Sequence, residues 1–567
     1  MKRTFTAALG GALLIGVAAI PGAAPSAAAQ SLSRSQSRSM VVSRYGIVAA
    51  ESPLAAQAGA QILAHGGNAV DAAVATNAVM GVVEPMMNGM GGDLFAIVYD
   101  AKTGKLYGLN ASGWSPAALT PAFLAAHGVT KMPLFGIDSV TVPGAVDGWT
   151  ELLQRFGRLS LHDDLQPAIR TAREGFPVPE WDAMYWAEAA PALAKNPGTA
   201  QTYLIDGIAP ALGQVFRNSD LARSLALVAN GGRDAFYRGP IAEKILAIEK
   251  SEGGAMTAAD LADYHAAWVT PLSTTYRGWT VYELPPNGQG IAALEMLNIM
   301  AHFPLAQDGH NSADALQVMI EAKKLAYADL ARYIGDPRFS KIPIAGLLSP
   351  AYAAERAKLI DMNHANCSVA PGLPPAGDTT YLTAVDAEGN MVSLIQSNFE
   401  EFGSRLVPPG AGFVLQDRGA LFNLTPGSPD VLAGHKRPLH TIIPAFMTHG
   451  ETRIAFGIMG GFNQAQAHAQ FVSNVVDFGM DIQAALEAAR FDKIDFGGCD
   501  VDMEDRIPAD VRAELEHRGQ QIRVDGDYAA IMGGGQAVER NFATGVNFGA
   551  SDPRKDGEAI PEPLPRE

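Results

Sequence analysis

The chain has 567 residues, 48% of them hydrophobic, with 42 basic against 59 acidic side chains and a net charge of −17. That balance argues against nucleic acid or an anionic membrane as a partner, and any anionic ligand needs a local basic pocket. The two cysteines, Cys367 and Cys499, form no C-x-x-C pair, and His65, His265, His364 and His468 are scattered singly, so no metal site is expected. No cofactor is expected either.

Lys2 and Arg3, an apolar run from about Ala7 to Ile20 and the small residues Ala27-Ala28-Ala29 have the form of a signal peptide over residues 1–29. The apolar run ends at Pro21-Gly22 and is short for a membrane span. An exported protein, periplasmic or secreted, is expected. In an oxidising compartment Cys367 and Cys499 either pair or remain two separate thiols.

From Pro53 to Val83 the pattern is helical, broken at Gly66-Gly67, with Asn68 as N-cap of a helix over Ala69–Met80. Leu94–Tyr99 and Lys105–Leu109 predict a hairpin. Between Leu119 and about Ile360 most segments read as helices: Val146–Phe156, Leu161–Arg173, Ile241–Lys250, Ile291–Ala301 and Ala313–Tyr333. The Pro/Gly-rich stretch 363–377 predicts an exposed, mobile connector. A second hairpin follows, Thr380–Val385 with Met391–Gln396, and then strands near Phe413–Leu415, Thr441–Met447 and Arg453–Gly457. Helices are expected over Gln464–Phe478 and Ile482–Arg490. Together these elements suggest sheets sandwiched by helices.

Within this order, Asp378-Thr379-Thr380 stands directly before a β-prone run. It reads either as a turn into a strand or as a site of self-cleavage that frees Thr379. A freed threonine carries a hydroxyl nucleophile and, one residue's reach away, an α-amine base. The amine's pKa is roughly 7.7–8, so a useful fraction is neutral near pH 7.

Several segments then agree with one family. Gly66-Gly-Asn-Ala-Val-Asp-Ala-Ala-Val74, Met90-Gly-Gly-Asp-Leu-Phe95, Val142-Pro-Gly-Ala-Val-Asp-Gly-Trp149, Gly377-Asp-Thr-Thr380, Lys436-Arg-Pro438, Met459-Gly-Gly461 and Gly549-Ala-Ser-Asp-Pro-Arg554 occur in its expected order. Nearly the whole mature chain resembles a γ-glutamyltranspeptidase-family protein of the N-terminal-nucleophile hydrolase type. The resemblance implies an α+β, four-layer αββα sandwich, cleaved between Asp378 and Thr379 into a large subunit (30–378) and a small one (379–567). It implies Thr379 as nucleophile and Ser397 as the hydroxyl that hydrogen-bonds it. The Gly460-Gly461 pair matches the family's oxyanion hole, where glycine permits close approach of backbone to substrate.

The expected glutamate anchors differ. No basic residue occurs in Ala111-Ser112-Gly113-Trp114-Ser115-Pro116, the serine pair becomes His440-Thr441, an asparagine becomes Phe399, and the amide-aspartate segment reads Gln416-Asp417-Arg418-Gly419-Ala420-Leu421. Arg418 and Asp417 rebuild a glutamyl pocket from other strands, or Trp114 and Phe399 line a flatter apolar one; either aromatic could equally be core. Residues 426–435 are short where many members carry a lid. The resemblance implies a γ-glutamyl amide such as glutathione as substrate. The alternatives are another small-molecule or peptide amide, as in cephalosporin-acylase-like relatives, and an inactive secreted binding scaffold. A serine hydrolase of the α/β type lacks its Gly-x-Ser-x-Gly elbow here.

Overall fold

The structure, a computed structural model, describes residues 36–369 and 378–564, without the side chain of Asp378. The expected signal peptide and most of the connector lie outside these residues. Among the described residues no helix is long and apolar enough to cross a membrane.

Two seven-stranded sheets form the centre. One carries the strand Asp378–Val385, paired on one side with Met391–Phe399 and on the other with Ile47–Ala50. The other sheet carries Ala445–His449 and Thr452–Ile458, paired with each other.

Period-two alternation sorts these strands into layers. Phe95, Ile97, Tyr99, Tyr381, Val385, Met391 and Ile395 from the first sheet meet Phe446, Ala455 and Val538 from the second in one core. Their neighbours Leu94, Ala96, Val98, Leu382, Ala384, Val392 and Leu394 face outward into a helical core. Ala445, Met447, Ile454, Phe456 and Ile458 do the same on the other side. Both faces of each sheet are therefore buried, and the architecture is α-β-β-α. The helix Ala69–Val83 is buried at every position and starts from a capping box. Asn68 Oδ1 accepts from Val70 N at 2.8 Å, and Asp71 Oδ2 accepts from Asn68 N at 2.7 Å.

Three expectations need correction. Phe413–Leu415 is no strand: Leu415 N donates to Leu406 O and Ser404 N to Leu415 O, so these bonds close a loop whose apolar side chains still enter the core. The strand expected from Thr441 begins only at Ala445, because Pro444 has no N–H and Ile443 N donates to a side chain, Gln464 Oε1, at 3.0 Å. The mainly helical first half also holds strands at Val41–Ser43, Ile47–Ala50, Ala267–Val269, Leu272–Tyr276 and Trp279–Glu283.

Cys367 and Cys499 form a disulfide across 132 residues of sequence. Of the two thiol readings, the paired one holds.

Candidate active site

Thr379 lies at the start of its strand, where the ladder to Met391–Phe399 breaks register. Asp378 pairs with Phe399 and Thr380 with Gln396, so Thr379 alone opposes Ser397 and Asn398. A bulge of this kind re-aims side chains at the end of a sheet. Thr379 is fully buried, and its Oγ1 donates to Ser397 Oγ at 3.4 Å. Ser397 Oγ in turn accepts from Phe399 N at 2.7 Å. On the opposite face, Thr380 Oγ1 accepts from Asn88 Nδ2 at 2.7 Å.

The facing sheet brings the second half of the site. A Cβ on Gly457 would lie 2.4 Å from the Tyr381 ring, so only glycine lets the strand ending at Ile458 pack this closely. Beyond that strand, Gly460 (φ 120°) and Gly461 (φ 57°) adopt left-handed backbone. Gly460 O accepts from Asn463 N at 2.9 Å, and Gly461 O accepts from Gln289 Nε2 at 2.8 Å. With the Gly460 carbonyl turned into the helix, planar trans geometry points the Gly461 N–H the other way. The helix Asn463–Val476 starts at once, so its positive end lies beside the glycine pair.

Its first turn supplies a residue that sequence reading missed. Gln464 Nε2 donates to Thr379 Oγ1 at 3.4 Å while its Oε1 accepts from Ile443 N at 3.0 Å, which fixes the amide's orientation. Glu51 is a second, with Oε2 accepting from Tyr381 N at 3.4 Å. The signal for Gln464 was its position, three residues past the glycine pair at a helix start.

Arg418, Asp417, His440, Thr441 and Phe399 are brought together, all buried. Arg418 Nη1 donates to Thr441 Oγ1 at 2.7 Å, and its Nε stands 3.6 Å from Asp93 Oδ2. The guanidinium lies 4.7 Å from the centre of the Phe399 ring, a side chain held at φ 83°, where a bulky residue is an outlier. His440 Nε2 lies 2.8 Å from Asp93 Oδ2, and Asp93 Oδ1 accepts from Gly113 N at 2.9 Å. Burial, with Arg418 next, lowers His440 to about 4, so it is neutral and Nε2 is the donor. Burial lowers Arg418 to about 10 and raises Asp417 to about 7. Asp417 Oδ1 accepts from Glu400 N at 3.0 Å. Asp417 Oδ2, Arg418 Nε and Nη2, and His440 Nδ1 have no hydrogen-bond partner among the described residues.

Trp114 stands apart from this cluster. Its half-buried ring packs on Tyr264 and His435, centroids 5.1 and 5.6 Å away, with Arg338 above it at 5.5 Å. Residues 426–435 fold back as a compact turn in which Lys436 Nζ donates to Pro429 O and Val431 O, each at 2.8 Å. Among the described residues no group of three or more His, Cys, Asp or Glu could hold a metal.

Residues 55–562 match the family model described as gamma-glutamyltranspeptidase. The chain belongs to the γ-glutamyltranspeptidase family. It is 37% identical over 525 residues to the glutathione hydrolase-like YwrD proenzyme of Bacillus subtilis (strain 168), covering 92% of this chain and 99% of that one. It is 34% identical to the glutathione hydrolase proenzyme of Escherichia coli (strain K12), covering 91% of each. Among solved structures, a cephalosporin acylase from Bacillus halodurans superposes with a TM-score of 0.88 at 42% identity, covering 94% of this chain and 98% of that one. Membership of this family identifies the chain as an enzyme with the N-terminal-nucleophile hydrolase fold, among relatives named as proenzymes, hydrolases and acylases.

Proposed function

We propose that this γ-glutamyltranspeptidase-family chain cuts itself before Thr379 and then acts as an N-terminal-threonine amidohydrolase on amides of γ-glutamyl type, glutathione among them. In the cut, Thr379 Oγ attacks the Asp378 carbonyl carbon, the C–N bond breaks, and the hydroxyl proton goes to the departing nitrogen. Water then hydrolyses the ester, leaving Thr379 with a free α-amine. In turnover the same hydroxyl attacks a substrate amide while the α-amine takes its proton and passes it to the leaving nitrogen. Ser397 and Gln464 orient the hydroxyl, and the Gly460 and Gly461 N–H groups hold the oxyanion. Donors of that kind contribute roughly 10²–10³ in rate. Water resolves the acyl-threonine ester, or an amine does so in transfer.

The observation that supports the acyl group is the set of unpartnered buried atoms on adjacent residues, Arg418 Nη2 and Asp417 Oδ2. Most buried polar groups in proteins are paired, and leaving one unpaired costs about 1–3 kcal/mol. A guanidinium donor and a carboxylate acceptor side by side suit the α-carboxylate and α-ammonium of a glutamyl group. A second reading, an ω-carboxyacyl amide without the amine, is favoured by Phe399, whose ring covers Arg418 where the family carries an amide. The cephalosporin acylase likeness points the same way.

Two measurements test this. Under denaturing, reducing conditions the purified protein should give two fragments by mass, the smaller beginning at Thr379, and Thr379→Ala one intact chain. γ-Glutamyl, glutaryl and acetyl anilides then separate the acyl readings. Preference for glutaryl over γ-glutamyl would select the second, and an uncut wild-type chain would remove the enzyme mechanism altogether.

A further inference from the structure

Gln289 is fully buried between the two halves of the site. Its backbone is docked on the segment that carries His440 and Thr441. Gln289 N donates to His440 O at 3.0 Å, His440 N to Asn287 O at 2.9 Å, and Asn287 Nδ2 to Pro438 O at 2.8 Å. The Gln289 side chain then donates twice from one nitrogen, to Thr441 O at 2.6 Å and to Gly461 O at 2.8 Å. Carbonyl oxygens only accept, so the amide cannot be turned round. Its Oε1 faces the Tyr327 hydroxyl at 3.1 Å, and that hydroxyl also reaches Phe462 O, one residue past the glycine pair.

Both ends of this bridge belong to the machinery of the function proposed above, and the present inference rests on that reading. Thr441 Oγ1 accepts from Arg418 Nη1 at 2.7 Å, so one end leads to the acyl anchor. The other end is the turn whose N–H groups hold the oxyanion. Between the two runs the hairpin Ala445–His449 with Thr452–Ile458, whose ladder ends at Ala445 opposite Phe456. Beyond that pair the anchor segment and the glycine turn leave the ladder. Gln464, on the helix after the turn, ties back to Ile443 N at 3.0 Å. Gln289 makes its tie from the other side of the proposed cut, out of the large subunit, and to both segments at once.

We propose that Gln289 is the positioning residue that sets the acyl anchor and the oxyanion turn in register, so that an acyl group gripped by Arg418 presents its carbonyl to the Gly460-Gly461 N–H groups. It acts through Thr441 and Gly461. One planar amide with two N–H groups on two carbonyls fixes the separation of those carbonyls, and buried bonds of this kind hold a single arrangement. The demand is strict, because a misplacement of about 1 Å can cost about 10²-fold in rate.

The test uses the cleaved enzyme, fragment masses checked first, and two substitutions of similar volume. Gln289→Met removes both N–H groups. Acetyl anilide then reads the turn alone, and the preference for γ-glutamyl over acetyl anilide reads the anchor. Both kcat on acetyl anilide and that preference should fall, each by about tenfold, inside the range that a misplacement below 1 Å allows. Gln289→Glu separates positioning from packing. A carboxylate has no proton for either carbonyl, whereas a carboxylic acid restores one donor and still offers Tyr327 an acceptor. The kcat of Gln289→Glu relative to wild type should therefore rise about tenfold as pH falls from about 9 to about 5.5, across the raised range of a buried glutamate. Tyr327, Asp492, Glu283 and His468 on one side, and His440, Asp93 and Arg418 on the other, surround this position. Wild type and variant share them all, so the ratio cancels their titration. A flat ratio for Gln289→Glu, or unchanged kcat and preference in Gln289→Met, would overturn the inference while leaving the glutamyl reading standing. A wild type that hydrolyses acetyl and γ-glutamyl anilides equally would overturn the glutamyl reading instead, and the pH ratio on acetyl anilide would still decide whether Gln289 sets the turn.

Discussion

Arg418→Gln withdraws a buried guanidinium from Thr441 Oγ1 at 2.7 Å, Asp93 at 3.6 Å and the Phe399 ring at 4.7 Å. Asp93 keeps the Gly113 N–H at 2.9 Å and His440 at 2.8 Å, so its carboxylate is not stranded. The stability cost should therefore stay near 2 kcal/mol, below the 3–5 kcal/mol typical of breaking a buried pair outright. The substrate loses more. A hydrogen bond to a charged group contributes about 1.5–3 kcal/mol, which predicts a fall of about 10- to 150-fold in kcat/KM for a γ-glutamyl anilide. Arg418 also helps to hold down the Asp417 carboxyl, already near 7. Its removal therefore protonates Asp417 at neutral pH and weakens the ammonium contact as well. The assay is anilide release from γ-glutamyl and acetyl anilides in parallel, with fragment masses checked first so that a processing defect is not mistaken for a binding one. Equal losses on both substrates, or none on the γ-glutamyl one, would refute the anchor.

Gln464→Leu should slow turnover about 2- to 13-fold, the range for one neutral hydrogen bond of 0.5–1.5 kcal/mol, measured as kcat on the cleaved enzyme; an unchanged kcat would remove Gln464 from the site. Asp164 is fully buried with both carboxylate oxygens unpartnered among the described residues, and burial, then Asp71 and Asp163, raises it to about 9. The folded chain keeps a proton that the unfolded chain, titrating near 3.8, releases, so stability contributed here falls as pH rises from about 4 to 9. Asp164→Asn should thus gain in Tm on the wild type between pH 5 and pH 9, and a constant Tm difference would contradict it. Cys367→Ser should let the cleaved protein separate into two chains on a non-reducing denaturing gel, where the wild type stays joined until reduced; wild-type separation without reductant would mean the disulfide does not form.

Local patterns carried much of the fold. Both hairpins and the Asn68-capped helix announce themselves by period-two runs, turn residues and a cap within a few positions. The misses are partly non-local. Phe413–Leu415 has strand-like side chains, yet Gly412 (φ 79°) and bonds to Leu406 and Ser404 hold it in a loop. Trp279–Glu283 closes a local hairpin with Leu272–Tyr276 through Arg277 (φ 47°) and Gly278 (φ 91°), and its other edge pairs with Ala445–His449 from more than 160 residues away. Around the nucleophile, motif order pointed to Thr379, Ser397 and the glycine pair. Asp93, which binds Arg418 and His440 together, stood inside the Met90–Phe95 motif, but its role was not legible because its partners lie more than 300 positions on. Trp114 shows the opposite error, since an aromatic beside a motif need not face the site.

Thr379 is mounted on one sheet and the Gly460-Gly461 turn on the other, with the shared side-chain layer between them. That layer acts as a ruler: its thickness sets how far the Thr379 hydroxyl stands from the Gly460-Gly461 backbone. The bare Gly457 backbone under the Tyr381 ring is its thinnest graduation. A methylene added at Ala455 or Val538, far from any reacting atom, would lengthen the ruler and spend its effect on alignment before stability. In this architecture, tuning the rate is a problem of core volume as much as of active-site chemistry.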